Sequence, residues 1–171
     1  MRSKTVRLGS VVGTLMVLAT AVAAAPQLNA MRGSLRPPRN APAPGDTFRV
    51  PVYLHDSGQD LVSYALQVRY DPRVLEIQAI DGGTFAGFAE RPITDAAAFT
   101  TGATRFASVN RGVLRTHRTV NVATIVFRVV GGSGAQTKIR LAGAGHAPVV
   151  VKRGFEARAL KTPAPLVVTI R

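Results

Sequence analysis

The 171-residue chain contains no cysteine and no tryptophan. Without cysteine it forms no disulfide and has no thiolate chemistry, so packing alone must hold the folded domain together. Without tryptophan it lacks the largest ring that stacks on sugars, and only three tyrosines are present. Acidic residues are also few, since nine Asp and Glu stand against 22 Lys and Arg. A chain with this charge attracts acidic protein, anionic polysaccharide, lipid headgroups or nucleic acid.

The N-terminus is built like a secretory signal. Three basic residues come first, at Arg2, Lys4 and Arg7, and a stretch of apolar and small residues follows from Leu8 to Ala25. A basic start, an apolar centre and small residues before the cut are the parts of a signal peptide. We therefore expect residues 1–25 to be cleaved as a signal peptide during export. A retained membrane anchor is the alternative, because the stretch approaches the length of a bilayer span.

Cleavage would leave residues 26–171 as one domain, exported to the periplasm, the cell surface or the medium. The position of the cut stays open between Ala23, Ala24 and Ala30. Without the basic residues of the leader, 19 Lys and Arg remain against 9 Asp and Glu, a net charge of +10. This excess favours an acidic partner, and a membrane is a partner only if the leader is uncleaved.

Alternating apolar and polar residues predict strands along most of the mature chain. Thr47–Leu54 and Leu61–Tyr70 each place their apolar side chains on one face. Val120–Val130 is largely apolar on both faces and is therefore expected to be a central strand. In the second of these strands the side chains predicted to face inward are Val62, Tyr64, Leu66, Val68 and Tyr70. Those predicted to face outward are Ser63, Ala65, Gln67 and Arg69.

Turns rich in glycine and proline separate the predicted strands. Asp71-Pro72 forces one turn, and Phe99–Val109 is predicted to be a hairpin across Gly102. Thr84–Ala98 is open between a short helix and a long loop. No window predicts an amphipathic helix. The pattern as a whole indicates an all-β fold, an antiparallel β-sandwich.

Candidate catalytic and metal-binding residues are sparse. His55, His117 and His146 are far apart in sequence and lack the spacing that places two imidazoles on one metal ion. Asp56 and Asp60 flank a short turn, where a calcium site is less favoured than an ordinary Asp-rich turn. We expect no catalytic residue, no metal site and no cofactor.

Four segments together carry a resemblance to one protein family. Gly45–Val52, Ala65–Glu76 and Asp81–Phe85 are similar to the opening half of cohesin modules, and Val122–Val129 is similar to the closing half. The most specific element is the Tyr-Asp-Pro-x-Val-Leu-Glu turn that begins at Tyr70. Together these segments cover most of the mature chain.

This resemblance implies a nine-stranded jelly-roll sandwich that binds dockerin modules on other secreted proteins and so assembles polysaccharide-degrading complexes. One sheet face makes the contact in that family, with polar side chains from the strand before Tyr-Asp-Pro. Cellulosomal cohesins often carry Asn and Asp where Ser63 and Ala65 stand. The resemblance therefore supports the family's fold for this chain more strongly than it supports the family's partner. The fold also needs a first strand within Gln27–Leu35, which favours cleavage near Ala24 over cleavage after Ala30.

We expect the partner-binding residues to be Ser63, Gln67, Arg69, Asn110 and Arg111. The leading hypothesis is an exported, non-catalytic scaffolding module that docks a dockerin-like protein partner. The alternatives are a carbohydrate-binding module for acidic polysaccharide and a periplasmic subunit of a secretion or pilus assembly. Nucleic acid is not an expected partner, because the chain is predicted to be exported and has no known nucleic-acid-binding motif.

Overall fold

The computed structural model describes residues 31–55, 61–112, 119–144, 149–151 and 156–171. Their strands, in chain order, are β1 (Met31–Leu35), β2 (Thr47–His55), β3 (Leu61–Arg69), β4 (Leu75–Gly82), β5 (Ile93–Thr94), β6 (Ala103–Val109), β7 (Thr119–Val129), β8 (Gln136–Gly143), β9 (Val149–Val151), β10 (Glu156–Arg158), β11 (Leu160–Lys161) and β12 (Leu166–Thr169). Two short 3₁₀ helices are η1 (Ala86–Phe88) and η2 (Ala96–Thr100). None of the helices in these residues has the length and apolarity needed to cross a membrane.

The strands form two sheets. The first has the order β11-β1-β2-β7-β4, and the second contains β10-β9-β3-β6-β5, with β8 also paired to β3 and β12 paired to β8. Every pairing is antiparallel except that of β1 with β11. β8 and β9 lie one after the other along the same edge of β3. β3 is therefore the central strand of the second sheet, with β6 on its other side.

The inner faces of the two sheets share one hydrophobic core. It includes Val50, Val52, Leu54, Ile77, Ile125 and Phe127 from the first sheet and Leu66, Val68, Phe106, Ile139 and Leu141 from the second. The rings of Tyr70 and Phe127 meet edge to face across the gap, with centroids 5.3 Å apart. These features confirm the predicted all-β jelly-roll sandwich. The described residues contain twelve strand segments, whereas nine strands were expected. Four of the twelve are short segments of only two or three residues.

The predicted alternation of β2 and the central position of β7 are both confirmed. In β2 the apolar side chains Phe48, Val50, Val52 and Leu54 are buried. β7 lies between β2 and β4 in the first sheet. Its second half buries every other residue, because one face packs on the core while the other faces out.

A register shift in β3 corrects the predicted inner face. Val62 was expected to face inward, but the structure buries Leu61 and Tyr64 and leaves Val62 half-buried. The pairing of β3 with β9 shifts between Leu61 and Ser63, so an extra residue interrupts the two-residue period. From Tyr64 to Arg69 the predicted alternation holds.

A second shift occurs in β7. Val52 of β2 pairs with Ala123 and Tyr53 pairs with Asn121, so Val122 has no residue opposite it in β2. The buried amide of Asn121 lies at this bulge. It donates to the carbonyls of Val52 and Ala123 at 3.1 Å and accepts from the backbone N–H of Thr84 at 2.7 Å. These bonds fix the loop after β4 to the middle of the first sheet.

The segment between β4 and β6 is irregular, as expected. Thr84–Ala98 contains η1, the two-residue β5 and the start of η2. The predicted hairpin at Phe99–Val109 is wrong in its first half, because Phe99 and Thr100 belong to η2 and only β6 is extended. The side chain of Asp95 caps this turn by accepting from the N–H of Ala97 at 3.0 Å, which favours helical over extended structure.

Several expectations lie outside the described residues. The leader at 1–25, the candidate calcium turn at Asp56 and Asp60, and the histidines His117 and His146 are among them. They stay predictions. The first strand is described from Met31, where it pairs with Leu160 of β11.

Candidate docking surface

The Tyr-Asp-Pro turn holds β3 in place. The hydroxyl of Tyr70 donates to the carbonyl of Phe99, and the side chain of Asp71 accepts from the N–H of Arg73 at 3.0 Å. The guanidinium of Arg73 contacts the other carboxylate oxygen at 2.8 Å. Hydrogen bonds from the side chain and the backbone of Arg73 lower the pKa of Asp71 to about 2. The Asp71 carboxylate therefore stays ionised down to low pH.

Neighbouring strands are fastened to the same turn. The N–H of Asp71 donates to Thr137 of β8 at 3.1 Å, and the N–H of Tyr70 donates to the carbonyl of Gly102 at 2.9 Å. Gly102 has a φ of +81°, and a Cβ added there would lie 2.8 Å from the Tyr70 carbonyl oxygen. Glycine is needed because both its backbone angle and this close approach exclude a side chain. The turn thus links β3 to β8 and to the start of β6.

The outer face of these strands is open to solvent in the described residues. Strand pairing places opposite one another, on this face, Ser63 and Val109, Ala65 and Ala107, Gln67 and Arg105, and Arg69 and Ala103. β8 adds Lys138, Arg140 and Ala142, and β5 adds Ile93. We call this surface the β3 face. Its residues divide into an apolar part and a basic part.

The apolar part lies at the first half of β3. Ile93 is 82% exposed and Val109 is 61% exposed. Two adjoining depressions of about 380 and 230 Å³ lie beside Ile93, and both are lined by Ala65 and Ala107. Small side chains on two paired strands therefore leave room for a partner's side chain next to a large exposed one.

The basic part lies at the second half of β3, near the Tyr-Asp-Pro turn. Arg69 is directly opposite Arg140 of β8. Arg105 pairs with Gln67, one step along the same face from Arg69, and Lys138 lies two residues before Arg140. All four basic side chains are exposed.

Three of the predicted binding residues share the β3 face. Ser63 and Gln67 are half-buried and Arg69 is exposed, and the Nε of Arg69 donates to the side-chain oxygen of Gln67 at 3.1 Å. Arg69 lies six positions after Ser63, a distance of roughly 20 Å along an extended strand. Ser63 therefore belongs to the apolar part and Arg69 to the basic part.

The other two predicted residues lie beyond the end of β6. The side-chain amide of Asn110 donates to the carbonyl of Leu61 at 2.9 Å, and its backbone N–H donates to Val62 at 2.7 Å. Arg111 forms an exposed ion pair with Glu90 at 3.2 Å. Both residues are thus engaged within the domain, at the opposite end of the β3 face from Arg69.

Sequence reasoning missed much of the β3 face. It left out Arg105, Lys138 and Arg140, which reach this face only through cross-strand pairing. The polar alternation of β8 was a usable signal for the last two. The exposed position of Ile93 could not be predicted from the sequence, because a two-residue strand is too short to show an alternation of apolar and polar residues.

The imidazole of His55 lies between two hydroxyl groups. Its Nε2 lies 2.7 Å from Oγ of Ser34, and its Nδ1 lies 3.1 Å from Oγ1 of Thr119. These polar groups link β1, β2 and β7 on the first sheet. The described residues contain no cluster of three His, Asp or Glu that would hold a metal ion.

The tyrosines do not form a platform for sugars. Tyr64 and Tyr70 are buried, as the alternation predicts, and Tyr53 is half-buried on the first sheet. Burial is the main reason that the pKa of Tyr64 is raised above its usual 10.0. Stacking on a sugar needs an exposed ring face, which neither buried ring offers.

The two packed sheets define a jelly-roll β-sandwich. A family model described as the cohesin domain matches residues 35–147. The chain belongs to the cohesin domain family. Among curated proteins, no sequence matches it.

Solved structures share the fold at low sequence identity. The cohesin module of a family 33 glycoside hydrolase from Clostridium perfringens has a TM-score of 0.66 at 10% identity, covering 83% of this chain and 97% of that one. A chain from a type I cohesin–dockerin complex of Clostridium thermocellum has a TM-score of 0.59 at 17% identity, covering 84% and 100%. CaCohA2 from Clostridium acetobutylicum has a TM-score of 0.61 at 11% identity, covering 82% and 90%.

Proposed function

We propose that this cohesin domain docks a dockerin-type module of another exported protein through the β3 face, without catalysis. The resulting assembly would lie outside the cytoplasm and serve polysaccharide breakdown. The observation that carries the proposal is the exposure of Ile93 and Val109 beside two depressions on an open sheet face. Family membership supports it, since a chain of similar fold comes from a cohesin–dockerin complex.

The arrangement of the β3 face resembles that of a protein interface. Its apolar part holds Ala65, Ala107 and Ile93, and Gln67 and Arg105 border this part on the side of the basic residues. Protein interfaces commonly have an apolar core inside a polar rim. Large apolar side chains left in water next to open depressions cost solvation free energy that a partner would recover.

Titration with a dockerin tests the proposal. The purified full-length protein would capture partners from the culture medium of its source, and a recombinant dockerin module from a captured protein would be titrated by calorimetry. We expect Ile93→Lys to weaken dockerin binding at least about tenfold, since it puts a charge into the apolar part of the β3 face. Val130→Lys is the matched control, because Val130 is 43% exposed just after the end of β7 in the first sheet.

Two results would count against this function. Equal affinity of the wild type and Ile93→Lys for the dockerin would remove the β3 face from the interface. Failure to bind any dockerin, with retention on anionic glycans, would favour the carbohydrate-binding alternative. The basic residues of the β3 face would serve that alternative, whereas the exposed Ile93 and Val109 have no role in holding a charged sugar chain.

A further inference from the structure

Four basic side chains lie together on the β3 face. We call Arg69, Arg105, Lys138 and Arg140 the basic patch. Arg69 and Arg140 are cross-strand neighbours in the register of β3 and β8. Side chains that face each other across paired strands have Cβ atoms about 4.5 to 5.5 Å apart, and like charges at this distance repel. The fold therefore keeps an unfavourable concentration of positive charge at this place.

No acidic side chain forms an ion pair with the basic patch within the described residues. The ion pairs found there join Asp81 to Arg49 and Arg91, Asp71 to Arg73, and Glu90 to Arg111. None of the nine acidic residues of the chain lies in β3, β6, β8 or β12. The acidic residue nearest to the apolar depressions is Asp95, whose side chain caps η2.

The patch also lies at only one end of the β3 face. Along β3 the outward side chains change from Ser63 and Ala65 to Gln67 and Arg69. The apolar part pairs with Val109 and Ala107 of β6, and the basic part pairs with Arg105. A partner that lies along this strand meets an apolar surface at one end. At the other end it meets four positive charges together with Val167 of β12, which pairs with Lys138 and is 53% exposed.

Resting on the proposed function, we propose that the partner is a dockerin whose contact surface is acidic at one end and apolar at the other. Its carboxylates cover the basic patch, and its apolar side chains fill the depressions beside Ile93. Charge complementarity sets the orientation, because a reversed partner would bury carboxylates against Ile93 and leave the arginines unpaired. A polyanionic sugar would use the patch but leave Ile93 and Val109 exposed.

A charge-reversal experiment tests this orientation and charge. Recombinant dockerin modules with acidic, neutral and basic contact surfaces would be titrated against the wild type, Arg69→Glu/Arg105→Glu and the control Arg36→Glu/Arg39→Glu. The control makes the same change of net charge in the exposed connector between β1 and β2. We expect the wild type to prefer acidic dockerins, with affinity that weakens as NaCl rises from about 0.05 to about 0.5 M.

The reversed variant should bind acidic dockerins about 10- to 100-fold more weakly and basic dockerins more tightly, while the control keeps the preference of the wild type. Far-UV circular dichroism and thermal unfolding establish that both variants fold. Loss of binding in Ile93→Lys, with no effect of the charge reversal, would overturn the acidic partner but leave docking intact. Absence of dockerin binding by the wild type would overturn both proposals, and binding of an anionic polysaccharide alone would do the same.

Discussion

The hydroxyl of Tyr64 in β3 donates a hydrogen bond of 3.0 Å to the backbone carbonyl of Val122 in β7. This bond joins the two sheets through the interior of the sandwich. Val122 is the residue that the bulge leaves without a partner in β2. The register shift and the buried tyrosine therefore act together, because the hydroxyl of Tyr64 in the opposite sheet provides a hydrogen bond to the Val122 carbonyl at the bulge.

Tyr64→Phe is expected to destabilise the domain. Removing the hydroxyl leaves the buried Val122 carbonyl without this donor, which costs about 1 to 2 kcal/mol of unfolding free energy. Urea or thermal unfolding measures the loss. Tyr53→Phe is the control, because Tyr53 is half-buried on the outer side of β2 and should change stability little. Equal stability of Tyr64→Phe and the wild type would mean that the inter-sheet bond contributes nothing.

Gly102→Ala should destabilise the domain more than Gly134→Ala does. Both glycines have positive φ, 81° and 83°, so alanine costs about 1 to 2 kcal/mol of backbone strain at either position. At Gly134 an added Cβ meets nothing within 4 Å, whereas at Gly102 it meets the Tyr70 carbonyl and Pro72 at 2.8 Å. The difference between the two variants in thermal unfolding isolates the clash. Equal losses of stability in the two variants would show that the turn accommodates the added Cβ without further loss of unfolding free energy.

The stability of the Tyr-Asp-Pro turn should depend on acid. The pKa of Asp71 is lowered from 3.8 to about 2 in the folded protein by the hydrogen bonds from Arg73. Folding therefore stabilises the ionised form of Asp71 relative to its protonated form. This contribution is complete above about pH 4 and is lost as the pH falls through about 2.

Asp71→Asn is thus expected to be less stable than the wild type at neutral pH, with a difference that shrinks below about pH 4. Unfolding curves across this range measure it. Arg73→Ala, which removes the guanidinium but keeps the backbone donor, should show part of the same pH dependence. A constant difference between Asp71→Asn and the wild type at every pH would assign the effect to something other than ionisation.

The sequence predicted the fold where side chains follow a regular period. Phe48 to Leu54 in β2 and Tyr64 to Arg69 in β3 lie as alternation places them. It failed at Val62, because a bulge is set by the pairing of two strands and leaves no mark on the period of one. It also failed at Phe99, where the cap of Asp95 outweighs the β preference of an aromatic residue.

The candidate site was harder to predict than the fold. Gln67 and Arg69 were found because they lie in one strand with a clear outer face. Arg140 comes to face Arg69 only through the register of β8, more than 70 residues away in sequence. Asn110 looked like a free polar side chain after a strand, yet its amide donates to the carbonyl of Leu61. Such partners depend on tertiary structure.

Arg69→Glu is expected to stabilise the fold while weakening the docking of an acidic partner. The change replaces a like-charge cross-strand pair with Arg140 by an opposite-charge pair, which should add about 0.5 kcal/mol to the unfolding free energy. The gain should fall when salt is raised, since both side chains are exposed. Thermal unfolding at low and high salt measures it.

A double-mutant cycle with Arg140→Gln separates this pair from other effects of Arg69. In the Arg140→Gln background, the gain from Arg69→Glu should be smaller, because the directly opposite like charge has gone and only Arg105 and Lys138 remain nearby. Arg36→Glu in the connector should change stability little in either background. A gain of the same size without Arg140 would contradict the pairing. Added stability together with lost affinity would mean that the like-charge pair costs stability and is retained because it binds the partner.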